Sequence, residues 1–244
     1  MRAPPRFRQI VPGFERLPAD HDLPRHAHFA AYVTVVLDGG YAQAAYAGRM
    51  TLRPGDVLIQ PTLDRHASRM TGQALHLLRL TWAAETSLGG VYRPRGVDQV
   101  IRAARRDPTE ATALLAEQIS GPPQPAIQAD WPDLLAQALS GSEPPRIGVW
   151  AEAHGLARET VARGFARRFG VTPHRFAAEL RARRAWLGIV SGDGSLAGLA
   201  AELGYADQPH MTRAVRALTG ATPSAWRQVT SVQDPSARVA HKAG

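Results

Sequence analysis

The stretch SLAGLAAELGYADQPHMTRAVRALTGATPSAWR, residues 195–227, contains the pattern that decides the fold of the C-terminal third of the chain. An alanine-rich helical pattern begins at a serine and stops at Gly204, and a second helical pattern with arginines follows it. Ala200 lies four residues before the glycine, where two crossing helices leave room only for a small side chain. We expect Leu203 to face the core and Tyr205 to pack just after the turn. This combination is typical of a helix-turn-helix unit.

The same template fits a second stretch, IGVWAEAHGLARETVARGFARRFG, residues 147–170. Here Gly155 is the predicted turn, Ala151 the small residue and Trp150 its packing partner. The apolar positions that follow are Leu156, Val161 and Phe165. Two matches in order are much stronger than one, because any helical hairpin can resemble a single unit.

A helical segment, PHRFAAELRARRAWLGIV, joins the two predicted units. If it is helical over about 18 residues, its length is roughly 27 Å at a rise of 1.5 Å per residue. Successive major-groove faces on one side of B-DNA are about 34 Å apart. A rod of this length is suited to holding two helices near adjacent grooves.

Positive charge is concentrated in the same part of the sequence. Residues 145–230 carry 12 Arg against 6 Asp and Glu, whereas residues 1–144 carry 15 Arg against 14 Asp and Glu. Clustered cationic charge on one domain is the footprint of a protein that binds a polyanion. An arginine-rich surface that reflects codon bias is the alternative.

Several classes of protein are excluded by composition. The 244 residues include no cysteine, so neither a disulfide framework nor a thiolate metal site is expected. The N-terminus lacks the apolar region of a signal peptide, and no stretch approaches the ~20 apolar residues of a membrane helix. We therefore expect a cytoplasmic protein with no membrane partner.

The N-terminal half predicts β-strands followed by helices. Residues 20–82 contain short strand patterns separated by Gly and Pro turns, which are typical of a sandwich or small barrel. Residues 97–140 have helical patterns, and Asp107 before Pro108 is a predicted helix cap. The segment SGSEPP, residues 140–145, has the composition of a linker. We predict domains at 1–140 and 145–230 and a flexible tail at 231–244.

Residues 146–229 resemble the DNA-binding domain of AraC-type transcription regulators, in which a linker helix joins two helix-turn-helix units. The family pattern is matched by Gly204, Tyr205, Asp207, Arg213, Gly220, Thr222, Pro223, Trp226 and Arg227. Met211 and Val215 stand where the family usually has phenylalanine, so the core is trimmed but still apolar. The first unit likewise ends in a Gly-Val-Thr-Pro sequence at residues 170–173.

The resemblance and the helix faces predict which residues contact DNA. In the first unit these are Arg158, Glu159, Ala162 and Arg163; in the second they are Gln208, Pro209, Thr212 and Arg213. Arginine suits guanine, glutamine suits adenine, and glutamate can accept from cytosine. Phosphates or acidic groups are the expected partners of Arg167, Arg168, Arg181, Arg183 and Arg184. His210 has two open roles, contact with DNA or capping of its helix, whereas His154 and His174 are expected to be structural.

The N-terminal section resembles the cupin barrel that many AraC-type regulators carry as a sensor. The residues behind this resemblance are His26, His28 and His66, and with Tyr32 they form the predicted effector pocket. We expect Tyr32 to share a strand face with His28, and His76 is a further candidate for the interior. Three histidines with an open position suit a divalent metal. However, metal-binding cupins have a glutamate where this chain has residues 31–33, so a small molecule is the expected occupant.

These observations predict an α+β fold: a cupin-like β-barrel, then an all-α domain with two helix-turn-helix units. The expected function is sequence-specific regulation of transcription through double-stranded DNA and a small-molecule effector, without enzymatic activity or a cofactor. A metal-dependent cupin enzyme and an interaction protein remain the alternatives. RNA polymerase is a further candidate partner. A homodimer is predicted through two apolar helix faces, Leu114, Leu115 and Ile119, and Leu134, Leu135 and Leu139.

Overall fold

The computed structural model describes residue 7 and residues 10–82, 89–124, 130–192 and 194–233, with side chains up to residue 228. The strands are β1 (Gly13–Leu17), β2 (Leu23–Ala27), β3 (Tyr32–Asp38), β4 (Tyr41–Ala45), β5 (Gly48–Leu52), β6 (Val57–Gln60), β7 (Arg65–Met70), β8 (Leu75–Thr81) and β9 (Gly90–Tyr92). The helices are α1 (Val97–Ala104), α2 (Pro108–Gln118), α3 (Trp131–Ser140), α4 (Ile147–Ala153), α5 (Arg158–Phe169), α6 (Pro173–Ser191), α7 (Leu196–Glu202), α8 (Gln208–Thr219) and α9 (Pro223–Gln233). The predicted α+β class is confirmed.

The strands form two antiparallel sheets, ordered β1-β8-β3-β6-β9 and β2-β7-β4-β5. Among the described residues no ladder of hydrogen bonds joins one sheet to the other. The predicted barrel is therefore a pair of unclosed sheets. Strands β1 and β9 lie outside the predicted β region and extend the two edges of the five-stranded sheet.

The five-stranded sheet is buried on both faces. Val33 and Val35 of β3 belong to one buried cluster with α1 and α2, which the sheet contacts through Val100 and Leu115. Val36 of the same strand belongs to a second cluster, which also contains residues of the four-stranded sheet. Burial of both faces explains why β3 and β8 have nearly continuous apolar sequences instead of strict alternation.

The predicted cap of α2 is present, but the apolar faces of α2 and α3 pack differently from the prediction. Asp107 accepts a hydrogen bond from the backbone nitrogen of Thr109 at 2.7 Å, and Pro108 occupies the first position of α2. The apolar faces that predicted a dimer are largely used inside the chain, since Leu115, Leu135 and Leu139 are buried. Leu134 is 41% exposed, which leaves little of that apolar surface for a partner.

The chain divides into two compact units, residues 7–173 and the residues from 174 onward. Helices α4 and α5 belong with the sheets to the compact unit of residues 7–173. Helices α7, α8 and α9 belong to the compact unit that begins at residue 174. The domain border predicted at 140–145 stays a prediction. Within the described residues, no helix is both long enough and apolar enough to cross a membrane.

Gly204 tests the turn on which the second helix-turn-helix unit depends. Its φ is +68°, and a Cβ placed there would meet no atom within 4 Å, so the backbone conformation alone opposes a side chain. We expect Gly204→Ala to lower the free energy of unfolding by about 1–2 kcal/mol in urea denaturation. Gly194→Ala is the matched control, since that glycine has equal space and no positive φ. Equal losses in the two variants would contradict this account.

Candidate functional site

The first helix-turn-helix unit is built around a left-handed glycine. Helix α4 ends next to Gly155, whose φ is +64°, and α5 then begins at Arg158. Trp150, Val161 and Phe165 are buried as predicted, whereas Leu156 is only half-buried. The left-handed backbone at Gly155 ends the helical path of α4, and the apolar faces of α4 and α5 can then meet across the turn.

His154 has a structural position, in agreement with its predicted role. Its Nδ1 donates to the backbone carbonyl of Trp150 at 2.8 Å, and its ring stacks on the Trp150 indole with centroids 3.8 Å apart. These contacts close the C-terminal end of α4.

The predicted base-contacting residues of α5 lie mostly on its solvent-facing side. Arg158, Glu159 and Arg163 are exposed, and Ala162 is half-buried. A guanidinium, a carboxylate and a small side chain thus lie along the first two turns of the helix. This arrangement can form hydrogen bonds with base edges and admits close approach at the alanine.

The second unit repeats this architecture with better-capped helices. Ser195 caps α7 by accepting from the backbone nitrogen of Gly198 at 3.0 Å. Asp207 caps α8 by accepting from the backbone nitrogen of His210 at 2.6 Å. Tyr205 and Met211 are buried behind α8. The capping role left open for His210 therefore belongs to Asp207, and the His210 ring packs edge-on against Tyr205 at 5.2 Å.

The outward side of α8 carries the other predicted DNA-contacting residues. Gln208, Pro209 and Arg213 are exposed, and Thr212 is half-buried. Val215 is fully buried on the opposite side of the helix. The trimmed apolar core at Met211 and Val215 still closes behind the helix.

One arginine of the linker helix α6 has a different partner from the one predicted. Arg181 was predicted to meet a phosphate or an acid, but its Nη1 donates to the carbonyl of Gly204 at 3.3 Å. Its guanidinium also lies 4.8 Å from the centroid of the Tyr205 ring. Arg181 therefore supports the turn of the second unit, a contact that sequence spacing alone does not reveal.

A cavity of about 210 Å³ lies in the β region and contains the predicted effector residues. Its polar lining includes His26, His28, His66, Tyr32, Thr34, Tyr41, Gln43, Ser68, Glu15 and Arg79. Arg79 pairs with Glu15 at 2.7 Å. Burial raises the pKa of Tyr32 and of Tyr41, so both hydroxyls keep their protons and can donate hydrogen bonds. His76 does not line this cavity.

The three histidines converge because β2 and β7 are paired. His26 on β2 lies directly opposite His66 on β7, with ring centroids 4.4 Å apart. His28 lies one residue beyond the end of β2, and its Nε2 is 3.1 Å from Nε2 of His26. Tyr32 was predicted to share a strand face with His28, but it lies on β3 of the other sheet. Its hydroxyl lies 3.4 Å from Nε2 of His66.

Backbone carbonyls orient two of these rings. Nδ1 of His26 lies 2.9 Å from the carbonyl of Pro24, and Nδ1 of His66 lies 3.2 Å from that of Asp64. A carbonyl oxygen can only accept, so these contacts assign hydrogen to both Nδ1 atoms and leave both Nε2 lone pairs facing the cluster. Burial, followed by the charges of His26 and His28, lowers the pKa of His66 well below its ordinary value.

This cluster is the part of the described chain whose donor atoms could hold a metal ion. The ligand nitrogens of His26, His28 and His66 all lie within 4.8 Å of one another, and the group contains no carboxylate. The nearby carboxylate of Asp64 accepts instead from Nε2 of Gln60 at 2.7 Å and from the backbone nitrogen of Tyr46 at 3.3 Å. The site therefore offers neutral nitrogen ligands and a phenol without a compensating negative charge.

The β region also contacts α5 through residues that the sequence analysis missed. Arg25, which precedes His26 on β2, donates to the carbonyl of Phe169 at 3.5 Å and lies 5.3 Å from the centroid of the Tyr46 ring. Alternation along a strand places Arg25 and His26 on opposite faces, so β2 faces the cavity on one side and the end of α5 on the other. That alternation is the signal that could have identified Arg25.

Helix α3 forms the second contact with α5. Its start is held by Asp133, whose Oδ2 accepts from Arg49 of β5 at 2.9 Å. Trp131 occupies the space beside Gly164 of α5, where an added Cβ would lie 2.5 Å from the Trp131 ring. The glycine is thus required by a close approach and not by backbone conformation.

Residues 150–229 match the model of a protein family described as a helix-turn-helix domain. The two left-handed turns and this match define a helix-turn-helix domain in the C-terminal third of the chain. The predicted resemblance to AraC-type transcription regulators is confirmed. No match was found among curated proteins.

Solved structures with related architecture are more distant. ToxT from Vibrio cholerae with a bound unsaturated fatty acid is 8% identical, with a TM-score of 0.38, over 89% of this chain and 94% of that one. The DNA-binding domain of AdpA in complex with a target DNA is 22% identical, with a TM-score of 0.40, over 44% and 99%. A probable AraC family regulator from Rhodopseudomonas palustris is 20% identical, with a TM-score of 0.36, over 40% and 93%. At these TM-scores the similarities do not by themselves establish function.

The contact between Trp131 and Gly164 predicts a specific pattern of stability changes. Gly164→Ala forces a methyl group against the indole, and we expect it to lower the free energy of unfolding by about 1–3 kcal/mol. In a Trp131→Ala background, the same substitution should cost much less, because the obstructing ring is gone. Urea denaturation of the wild type, the two single variants and the double variant measures this coupling. Additive losses would show that the two residues are not in contact.

Proposed function

We propose that this protein is a sequence-specific DNA-binding transcription regulator whose N-terminal β region binds a small-molecule effector. The observation that carries the proposal is the pair of helix-turn-helix units within the family match at 150–229. Each unit exposes a polar face on its second helix, with Arg163 in one and Arg213 in the other. Guanidinium groups at these positions suit bidentate contact with guanine.

The charge distribution supports binding to duplex DNA. The net charge of +8 arises mostly between residues 145 and 230 and is carried there by arginine. Neutralisation of phosphates by exposed arginines among these, such as Arg163 and Arg213, releases counterions, so affinity should fall steeply with salt. Arg181 is engaged with the second turn, and we therefore assign it no phosphate contact.

The cavity supports the effector half of the proposal. Its volume of about 210 Å³ is smaller than the ~300–1,000 Å³ of sites for drug-sized ligands, so the effector is expected to be a small molecule. His66, Tyr32 and Thr34 offer both donors and acceptors to it. Without a carboxylate among the three histidines, a divalent ion would add uncompensated charge, and we propose a small molecule as the resident ligand.

The contacts of β2 suggest how an effector would influence DNA binding. His26 lies at the cavity, and the adjacent Arg25 contacts the C-terminal end of α5. A ligand that shifts His26 would therefore act on α5 through the adjacent Arg25. We further propose that the protein is cytoplasmic, acts with RNA polymerase and forms a homodimer, in which the predicted helix faces would contribute little beyond the 41% exposed Leu134. The enzyme alternative has only the histidine cluster in its favour.

The DNA proposal predicts different effects for two kinds of arginine. After selection of a binding site from random duplexes, Arg163→Ala and Arg213→Ala should each weaken specific binding by roughly 1–3 kcal/mol and relax base preference locally. Arg106→Ala, which removes the same charge from an exposed residue between α1 and α2, should have little effect. Fluorescence anisotropy of the full chain at several salt concentrations measures both effects. Failure to select any site, with no duplex binding at low salt, would refute the proposal.

The effector proposal is tested by the isosteric variant Thr34→Val. A thermal-shift screen of small polar metabolites should identify a stabilising ligand, and loss of the buried Thr34 hydroxyl should weaken its binding by roughly 2–10-fold. Thr81→Val, at the exposed end of β8, is the control. Elemental analysis of untagged protein is done in parallel. Stoichiometric metal that is lost in His28→Ala would contradict the small-molecule assignment.

A further inference from the structure

A second cavity, of about 450 Å³, lies on the four-stranded sheet beside the last turn of α5. Small side chains leave this space open, since Ala42, Ala44 and Ala67 line its sheet side. Arg167 and Arg168 of α5 form the opposite side. We call this cavity the arginine groove. It shares Leu23, Gln43 and Ser68 with the lining of the histidine cavity, but the predicted effector residues do not line it.

The arginine groove has a marked excess of positive charge. Its lining contains four arginines, Arg49, Arg69, Arg167 and Arg168, and one carboxylate, Asp22. Arg49 is neutralised by Asp130 and Asp133 at 2.5 and 2.9 Å. Arg69 meets Asp22 at 3.4 Å, and its side chain remains 80% exposed. This pair is weak, because water screens it on most sides.

The side chains of Arg167 and Arg168 make no ion pair or hydrogen bond with any residue that the structure describes. Arg168 is also separated from the predicted DNA-contacting side of the helix, whereas Arg167 lies one turn after Arg163. At 3.6 residues per turn, Arg168 lies roughly 150° around the helix from the centre of the face that contains Arg158 and Arg163. Arg167 lies roughly 110° away. Both face the sheet, where like-charged Arg69 is also present.

We propose that the arginine groove binds a phosphate group carried by a small molecule, with Arg69, Arg167 and Arg168 as its ligands. Guanidinium groups bind phosphate oxygens through paired, charge-assisted hydrogen bonds, and three of them match a doubly charged phosphate. The volume is that of sites for drug-sized ligands, so the phosphate can carry an organic group. Such a ligand would bridge β7 and α5. Its influence on DNA binding, but not its binding, rests on the function proposed above.

The experiment uses the full chain in the absence of DNA. The probe is inorganic pyrophosphate. Titration calorimetry at constant ionic strength should show saturable binding, with chloride alone giving none. Arg168→Ala and Arg69→Ala should each weaken it by about tenfold or more. Arg163→Ala, on the same helix but on its DNA-contacting side, is the matched control and should leave it unchanged. All three arginines are exposed, so their replacement leaves the core intact.

Duplex binding by the same variants separates the two sources of phosphate. The proposal expects Arg163→Ala to weaken DNA binding and Arg168→Ala to spare it. If pyrophosphate does not bind and Arg168→Ala weakens DNA binding as much as Arg163→Ala does, the groove contacts the DNA backbone and the proposal is overturned. Unchanged pyrophosphate binding in Arg69→Ala and Arg168→Ala would also overturn it. Failure of the wild-type chain to bind any duplex would refute the DNA function without affecting the calorimetric result.

Discussion

Burial of both faces of the five-stranded sheet is the packing constraint on which the N-terminal half depends. Alternate residues of β3 and β8 must satisfy two different neighbours. Val33, Val35 and Leu78 pack with α1 and α2, whereas Leu77 faces the second sheet. On the side that faces the second sheet, Tyr32 and Thr34 of β3 bring polar groups to the cavity beside the apolar Leu75 and Leu77 of β8.

Pairing between β2 and β7 determines where the histidines meet. In an antiparallel pair, directly opposed residues have close Cβ atoms, so the His26–His66 register brings the two rings together. If β2 slipped by one residue against β7, His26 would turn to the other side of the sheet and Arg25 would take its place at the cavity. The register therefore decides at once which residue lines the cavity and which contacts α5.

Different sides of helix α5 have different neighbours, and the sequence of the helix reflects this. Its outward side carries Arg158 and Arg163, its apolar side packs on α4, and Gly164 admits the Trp131 ring. The last turn adds Arg167 and Arg168 beside the sheet. Under the proposed function α5 would contact both DNA and the β region, and a rigid displacement of the helix would move all of its faces together.

The sequence by itself determined the helix-turn-helix units, because the information is local. Gly155 and Gly204 are needed for left-handed turns, and a residue four positions earlier must be small, so spacing alone identifies both units. Caps such as Asp107 were predictable for the same reason, since a cap and its acceptor helix are adjacent in sequence. The alternation of strands and turns likewise indicated a β region, although the edge strands β1 and β9 lay outside it.

Tertiary structure decided what depends on contacts distant in sequence. Tyr32 reaches His66 from the other sheet, and Arg181 contacts the turn at Gly204 instead of an anion. The apolar faces of α2 and α3 are buried within the chain, so their amphipathic pattern did not distinguish an internal interface from a dimer. In the sequence, Gly164 is an unfavourable residue for a helix interior. In the structure, the close approach of the Trp131 ring accounts for it. In each case the local pattern states what a residue can do, and only the fold supplies its partner.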